Sequence, residues 1–212
     1  MFSIRKAIQD IILNNTILTF GMAHKLLNIT QTAKWIKPVV EARTKKEVSD
    51  IAVIMSLNRL AKNYEKLVPD MKDMKLDRIS ILSELCALTY LREQSSPEKI
   101  SALFQSLLAQ GHNTVSLGVN EITLICKDNL KNEVQCIMNT TPLFEKRDLA
   151  AIIIQFDRKY VEDVGFVYGI IQLLTLQHIN IWEFSSTYTE LILYVEETDA
   201  RLTFDTLYQR FM

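Results

Sequence analysis

The chain has 212 residues, 48% of them apolar, with only 5 Gly and 4 Pro. That length and composition suit one large or two modest domains with real cores, and exclude a disordered or fibrous protein. The net charge is −1, but residues 1–76 carry 13 Lys and Arg against 7 Asp and Glu, whereas residues 77–212 carry 11 against 18. This asymmetry points to two units with different partners. Cys86, Cys126 and Cys136 are odd in number and lack a CxxC spacing, so they read as free thiols in a reducing compartment. Three scattered histidines offer no metal set. No run approaches about 20 apolar residues, and Arg5, Lys6 and Asp10 interrupt the first apolar pattern. A cytoplasmic protein without a signal peptide or a membrane partner is expected.

Ile4, Ile8, Ile11 and Ile12 recur at helical spacing and predict a first helix, broken by Asn14-Asn15-Thr16. "ILTFGMAHKLL" predicts a second. Asn28, with Gln31 three residues on, predicts the cap of a third that carries Ala33, Trp35, Ile36, Val39 and Val40. Pro38 should end or bend that helix near Lys37. Thr44-Lys45-Lys46-Glu47 reads as a capping box opening a fourth helix. Its stripe would be Val53, Leu57, Leu60, Tyr64 and Leu67, with a second buried stripe of Val48, Ile51 and Met55, and Pro69 would end it. These elements predict a helical domain over 1–70, joined onward by the charged "VPDMKDMKLD".

After residue 77 the period changes. "RISILSELCALTYLR" reads as one bent strand or a hairpin turning near Ser83-Glu84. Ser96-Pro97 reads as a cap and first helical residue, ahead of a stripe of Ile100, Leu103, Phe104, Leu107 and Leu108 that Gly111 stops. "NTVSLGVNEITLIC" predicts two strands, "KDNLKNEVQCIM" a short helix, and "LAAIIIQF" a central strand. "GFVYGIIQLLTL" then predicts a helix, "QHINIWEFSSTYTELILYVEE" two strands, and "TDARLTFDTLYQR" a last helix.

The second series repeats the first. Asn113 and Asn180 would start equivalent strands, 67 positions apart. Glu121 and Glu190 lie 69 apart, which implies a hairpin two residues longer in the second copy. The expected fold class is α+β: an N-terminal helical bundle followed by two ferredoxin-like βαββαβ modules, at 77–148 and 149–212.

Residues 149–211 resemble an ACT domain, on "DVGFVYGIIQLLTLQHINI" and "STYTELILYVEETDA", and residues 85–148 resemble a weaker copy. The tandem pair is similar to the regulatory tail of aspartokinases. The usual Pro-Gly before the first helix is Val164-Gly165 here. The last copy lacks a final strand, and the resemblance implies that "RISILSEL" completes it. The nucleotide motif of those kinases is absent, as are Walker and GxGxxG loops. The resemblance therefore implies a regulatory, non-enzymatic protein that needs no cofactor, binds an amino acid at a module interface, and works as a homodimer.

The candidate ligand residues are Asp163, Val164, Gly165 and Phe166 at a helix start, where backbone N–H groups suit a carboxylate. Asn180 and Ile181 at a strand start join them, as do Ser96 and Asn113 in the first copy. Asp157, Glu162 and Asp163 read as a solvated loop. For DNA, a helix-turn-helix over "AHKLLNITQTAKWIKP" would offer Gln31, Lys34 and Lys37, with Lys45 and Lys46 beyond it. A DNA-binding regulator and a ligand-free adaptor that only dimerises are the rival readings.

Overall fold

The computed structural model describes residues 3–64, 74–92, 97–107 and 109–212. The chain forms two compact units, Met1–Asp70 and Met71–Met212.

In the first unit, α1 (Ile4–Leu13) is capped by Ser3 and α2 (Thr16–Ala23) by Asn15. α3 (Ile29–Thr44) is capped by Asn28, whose side chain accepts from the Gln31 amide at 3.1 Å. α3 does not end at Lys37 but runs through Pro38 to Thr44. The proline removes one helical hydrogen bond, at a cost of about 3 kcal/mol. Ile36 and Val40, buried on either side of it, each contribute about 1.5–3 kcal/mol, so packing carries the helix across. Thr44 is therefore the end of α3, with its hydroxyl donating to the Val40 carbonyl, and Lys45 follows in the left-handed region at φ 54°. The expected capping box is not the start of α4 (Asp50–Tyr64). Ser49 takes that place and accepts from the Ala52 amide at 3.2 Å. Val53, Leu57 and Leu60 are buried as the stripe requires, but Ile51 and Met55 are exposed. The second stripe thus buries only Val48. Leu67 and Pro69 lie outside the described residues.

The second unit holds a six-stranded antiparallel sheet in the order β2-β3-β1-β4-β6-β5. β1 (Arg78–Leu91), α5 (Pro97–Leu107), β2 (Thr114–Leu117), β3 (Glu121–Lys127) and α6 (Lys131–Met138) form one series. β4 (Phe144–Gln155), α7 (Phe166–Leu176), β5 (Glu183–Ser186), β6 (Glu190–Glu196) and α8 (Ala200–Phe211) form the other.

"RISILSELCALTYLR" is one strand, bent rather than turned back. Its pairing with β4 shifts between Leu82 and Leu85 and again between Leu85 and Ala87. Glu84 (φ 64°) and Asp148 (φ 55°) occupy the left-handed region at these irregularities, as bulges that bend a strand demand. Leu85 pairs with Lys127 and Leu149 with Glu196, so the two strands are related about the Leu85–Leu149 pair. Beyond the bend, Arg78–Leu82 pairs with Ala151–Gln155, and Phe144–Lys146 with Ala87–Thr89. The first strand of each series thereby supplies the fourth strand of the other.

The repeat is regular, but not as the asparagines suggested. Thr114 pairs with Ile125 and Glu183 with Tyr194, each 69 positions on. The Gly118 amide donates to the Glu121 carbonyl and the Thr187 amide to that of Glu190. The hairpins are therefore equal in length, and Asn113 corresponds to Trp182, not to Asn180. The extra residues of the second series lie between β4 and α7, around a short 3-10 turn at Arg158–Val161.

The sheet folds on itself. Four strand steps of about 4.8 Å would part β2 from β6 by about 19 Å on a flat sheet. The Thr114 and Tyr194 hydroxyls are 2.6 Å apart, and His112 Nε2 lies 2.9 Å from the same tyrosine oxygen. Alternation then sorts the cores. Cys86, Leu88, Tyr90, Ile122 and Leu124 face α5 and α6, whereas Ala150, Ile152, Ile154, Leu191 and Leu193 face α7 and α8. Leu85, Ala87, Ile125, Leu149, Ala151, Ile192 and Tyr194 form a third core between the folded halves. Among the described residues, no helix is long and apolar enough to cross a membrane.

Candidate functional site

A cavity of about 360 Å³ opens where α7 begins, against the β5–β6 hairpin. The local sequence explains its shape. β4 ends at Gln155, and Phe156 continues it with its amide donating to the Thr189 carbonyl at 3.1 Å. Asp157 caps the 3-10 turn by accepting from the Lys159 amide at 2.9 Å. The chain then reaches α7 through Gly165, whose φ of 97° is one that side-chain-bearing residues resist. Gly165 brings no side chain to cap α7, and the Phe166 amide donates to the Asp163 carbonyl at 3.3 Å, so that end keeps its positive dipole and the amides of Val167 and Tyr168 for a ligand.

The floor is aromatic. Phe166 meets Phe156 at 4.4 Å between ring centroids and stacks on Tyr160 at 5.4 Å. The Tyr160 hydroxyl accepts from the Lys75 amide at 3.0 Å, which pins the ring. The rim is made by Tyr168 of α7 and by Phe184, Ser186, Thr187 and Tyr188 of the hairpin. Phe184 and Tyr188 are 62% and 68% exposed. Among the described residues, Asp163 is the one carboxylate lining the cavity, and no ammonium or guanidinium side chain lines it. Lys159 Nζ sits 4.8 Å above the Tyr160 ring.

Of the residues singled out from sequence, Asp163, Gly165 and Phe166 line this cavity; Val164 stands beside it and is exposed. Asn180 and Ile181 do not join them within one chain. They follow the other end of α7, whose 11 residues span about 16 Å. Asn180 is exposed, and Ile181 packs against the α7–α8 core. Ser96 lies outside the described residues, next to Pro97, the first residue of α5. Asn113 holds the end of α5 through its amide nitrogen, and its buried Oδ1 has no hydrogen-bond partner among the described residues. Its Nδ2 donates to the Leu107 carbonyl at 2.7 Å and to that of Gly111 at 3.1 Å, which satisfies the end of α5. The aromatic lining was not anticipated. Aligning the two series at 69 positions sets Phe166, Tyr168, Phe184 and Tyr188 against non-aromatic residues, which is the signal the sequence held.

On the first unit, Gln31 and Lys34 are exposed near the start of α3, and Lys45 and Lys46 are exposed at its end, about 20 Å away along the helix. Lys37 Nζ is 2.7 Å from the Asp50 carboxylate, so its charge is already partnered. Among the described residues no group of three or more His, Cys, Asp or Glu could hold a metal ion.

No protein-family model and no curated protein matches the sequence. Solved structures do match. The regulatory subunit of aspartate kinase from Thermus thermophilus shares 11% identity at a TM-score of 0.52, over 65% of this chain and 99% of that one. The corresponding subunit from Thermus flavus gives 11% and 0.51 over the same shares. The aspartate kinase of Clostridium acetobutylicum gives 15% and 0.52, over 65% of this chain but 35% of that enzyme. The likeness is one of backbone, and it carries the resemblance read from the sequence: this chain contains the ACT-like fold of aspartate kinase regulatory regions.

Proposed function

We propose that this is a regulatory protein without catalytic activity, which senses a free amino acid in the cavity at the start of α7. The observation that carries the reading is the α7 terminus, without a side-chain cap, opening onto a cavity of about 360 Å³, within the range of small-molecule sites. A carboxylate placed there would meet backbone donors and a favourable dipole. The shared fold with regulatory subunits of aspartate kinase supports the same reading.

The site would sit at an interface. β5 is an edge strand of four residues, open to pairing. A second copy set antiparallel along β5 would run its α7 opposite to the first. The second copy's Asn180 and Ile181 would then arrive beside Gly165, the place they cannot reach within one chain. An amino acid held between copies would favour whichever arrangement it contacts better, and the helical unit would pass that change to a partner.

Thermal unfolding of the full chain against the twenty amino acids tests the proposal. A ligand at a hundred times its dissociation constant should stabilise by about 2.7 kcal/mol. The gain should vanish in Gly165→Val and weaken in Asn180→Ala. A flat panel favours an adaptor that only dimerises. Salt-sensitive DNA affinity lost in Lys34→Ala would favour the DNA-binding regulator.

A further inference from the structure

The two series provide an internal control on the cavity lining. Related backbone positions carry Phe156 and Arg92, Phe166 and Pro97, Tyr168 and Lys99, Phe184 and Val115, and Tyr188 and Val119. Tyr160 belongs to the residues present only in the second series. None of the six aromatic side chains at the cavity has an aromatic counterpart, although the backbone is shared. Phe156, Tyr160 and Phe166 are buried in the α7–α8 core and serve its packing, but the exposed rings of Tyr168, Phe184 and Tyr188 are not demanded by it. Two of them are also mostly exposed, which places apolar rings in water around an opening. Among the described residues, the lining presents one carboxylate, Asp163, and no cationic side chain.

From this lining we infer that the cavity selects an amino acid with an aromatic or large apolar side chain, an inference that rests on the amino-acid reading above. Asp163 pairs with the α-ammonium group. The side chain inserts between Phe166, Phe184 and Leu191. An acidic side chain finds no cation in the lining. A basic one meets a single carboxylate, already engaged by the α-ammonium. A small polar one leaves the rings exposed.

The test uses titration calorimetry on the full chain with L-phenylalanine, L-lysine, L-threonine, L-aspartate and 3-phenylpropanoate, which lacks the amine. L-phenylalanine should bind about tenfold or more tighter than the three polar amino acids, the difference expected from burying one aromatic side chain. Asp163→Asn should weaken L-phenylalanine by about tenfold and leave 3-phenylpropanoate unchanged. Phe184→Ala, at an exposed position, should weaken both. Tighter binding of L-lysine, L-threonine or L-aspartate that is lost in Gly165→Val would overturn the selectivity and leave amino-acid sensing intact. Equal weakening of both aromatic probes by Asp163→Asn would overturn the role of Asp163 alone. Absence of binding by every amino acid would overturn the parent reading and this one together.

Discussion

The two halves of the folded sheet share a backbone and differ at one corner. In the first, Arg92 leaves the end of β1 and its Nη1 donates to the Gly118 carbonyl of the hairpin at 2.6 Å. In the second, Phe156 stands at the same position, the hairpin carries Thr187 in place of Gly118, and the corner holds a cavity. One copy ties strand end to hairpin with its own side chain; the other has an open cavity there, which the proposal assigns to a ligand.

The sharpest test of the shared part is the core between the halves. Leu85→Ala and Leu149→Ala remove equivalent, fully buried side chains. Each should cost about 3–5 kcal/mol by chemical denaturation, and the two costs should agree. A large difference would break the equivalence. Tyr194→Phe should cost about 1–3 kcal/mol, because it leaves His112 and Thr114 without their shared partner. Its counterpart Ile125 makes no such bond.

At the corner itself, Gly165→Ala should destabilise by about 1–2 kcal/mol, since alanine resists a positive φ. The smallest effect is on pH. Burial holds the His112 imidazole below its ordinary value of 6.5, against a weaker opposing pull from Glu190. Its contribution to stability is fully present above that value. It is lost as pH falls from there through the lowered folded value, because the unfolded chain takes up the proton first. Burial and Glu121 push the Glu183 carboxyl upward, with the opposite slope at lower pH. The comparison of wild type with His112→Gln at pH 7.5 and 5.5 isolates the histidine: the variant should lose less stability on acidification.

Much of this was legible in the residues. Period-two alternation and the apolar run of Leu149–Phe156 marked the central strand, and the cap at Asn28 marked the start of α3. The polar Ser83-Glu84 pair marked a real bend, but only β4 pairing decides between a bend and a hairpin, and that pairing spans more than 60 positions. Matching Asn113 to Asn180 misled because the strand register sets Asn113 against Trp182, and an asparagine near a strand start serves a helix end as readily, as the Asn113 bond to the Leu107 carbonyl shows. The cavity was hidden for a different reason. Its rings come from the end of β4, the inserted turn, α7 and the hairpin, and each reads locally as ordinary packing. Their meaning appears only when the two copies are set side by side.

Under the proposal, the corner at Gly165 binds an amino acid and the corner at Arg92 does not. Titration calorimetry with L-phenylalanine measures this directly through stoichiometry. The prediction is one site per chain, unaffected by Arg92→Ala and abolished by Gly165→Val. Two sites per chain, or binding that survives Gly165→Val, would contradict it.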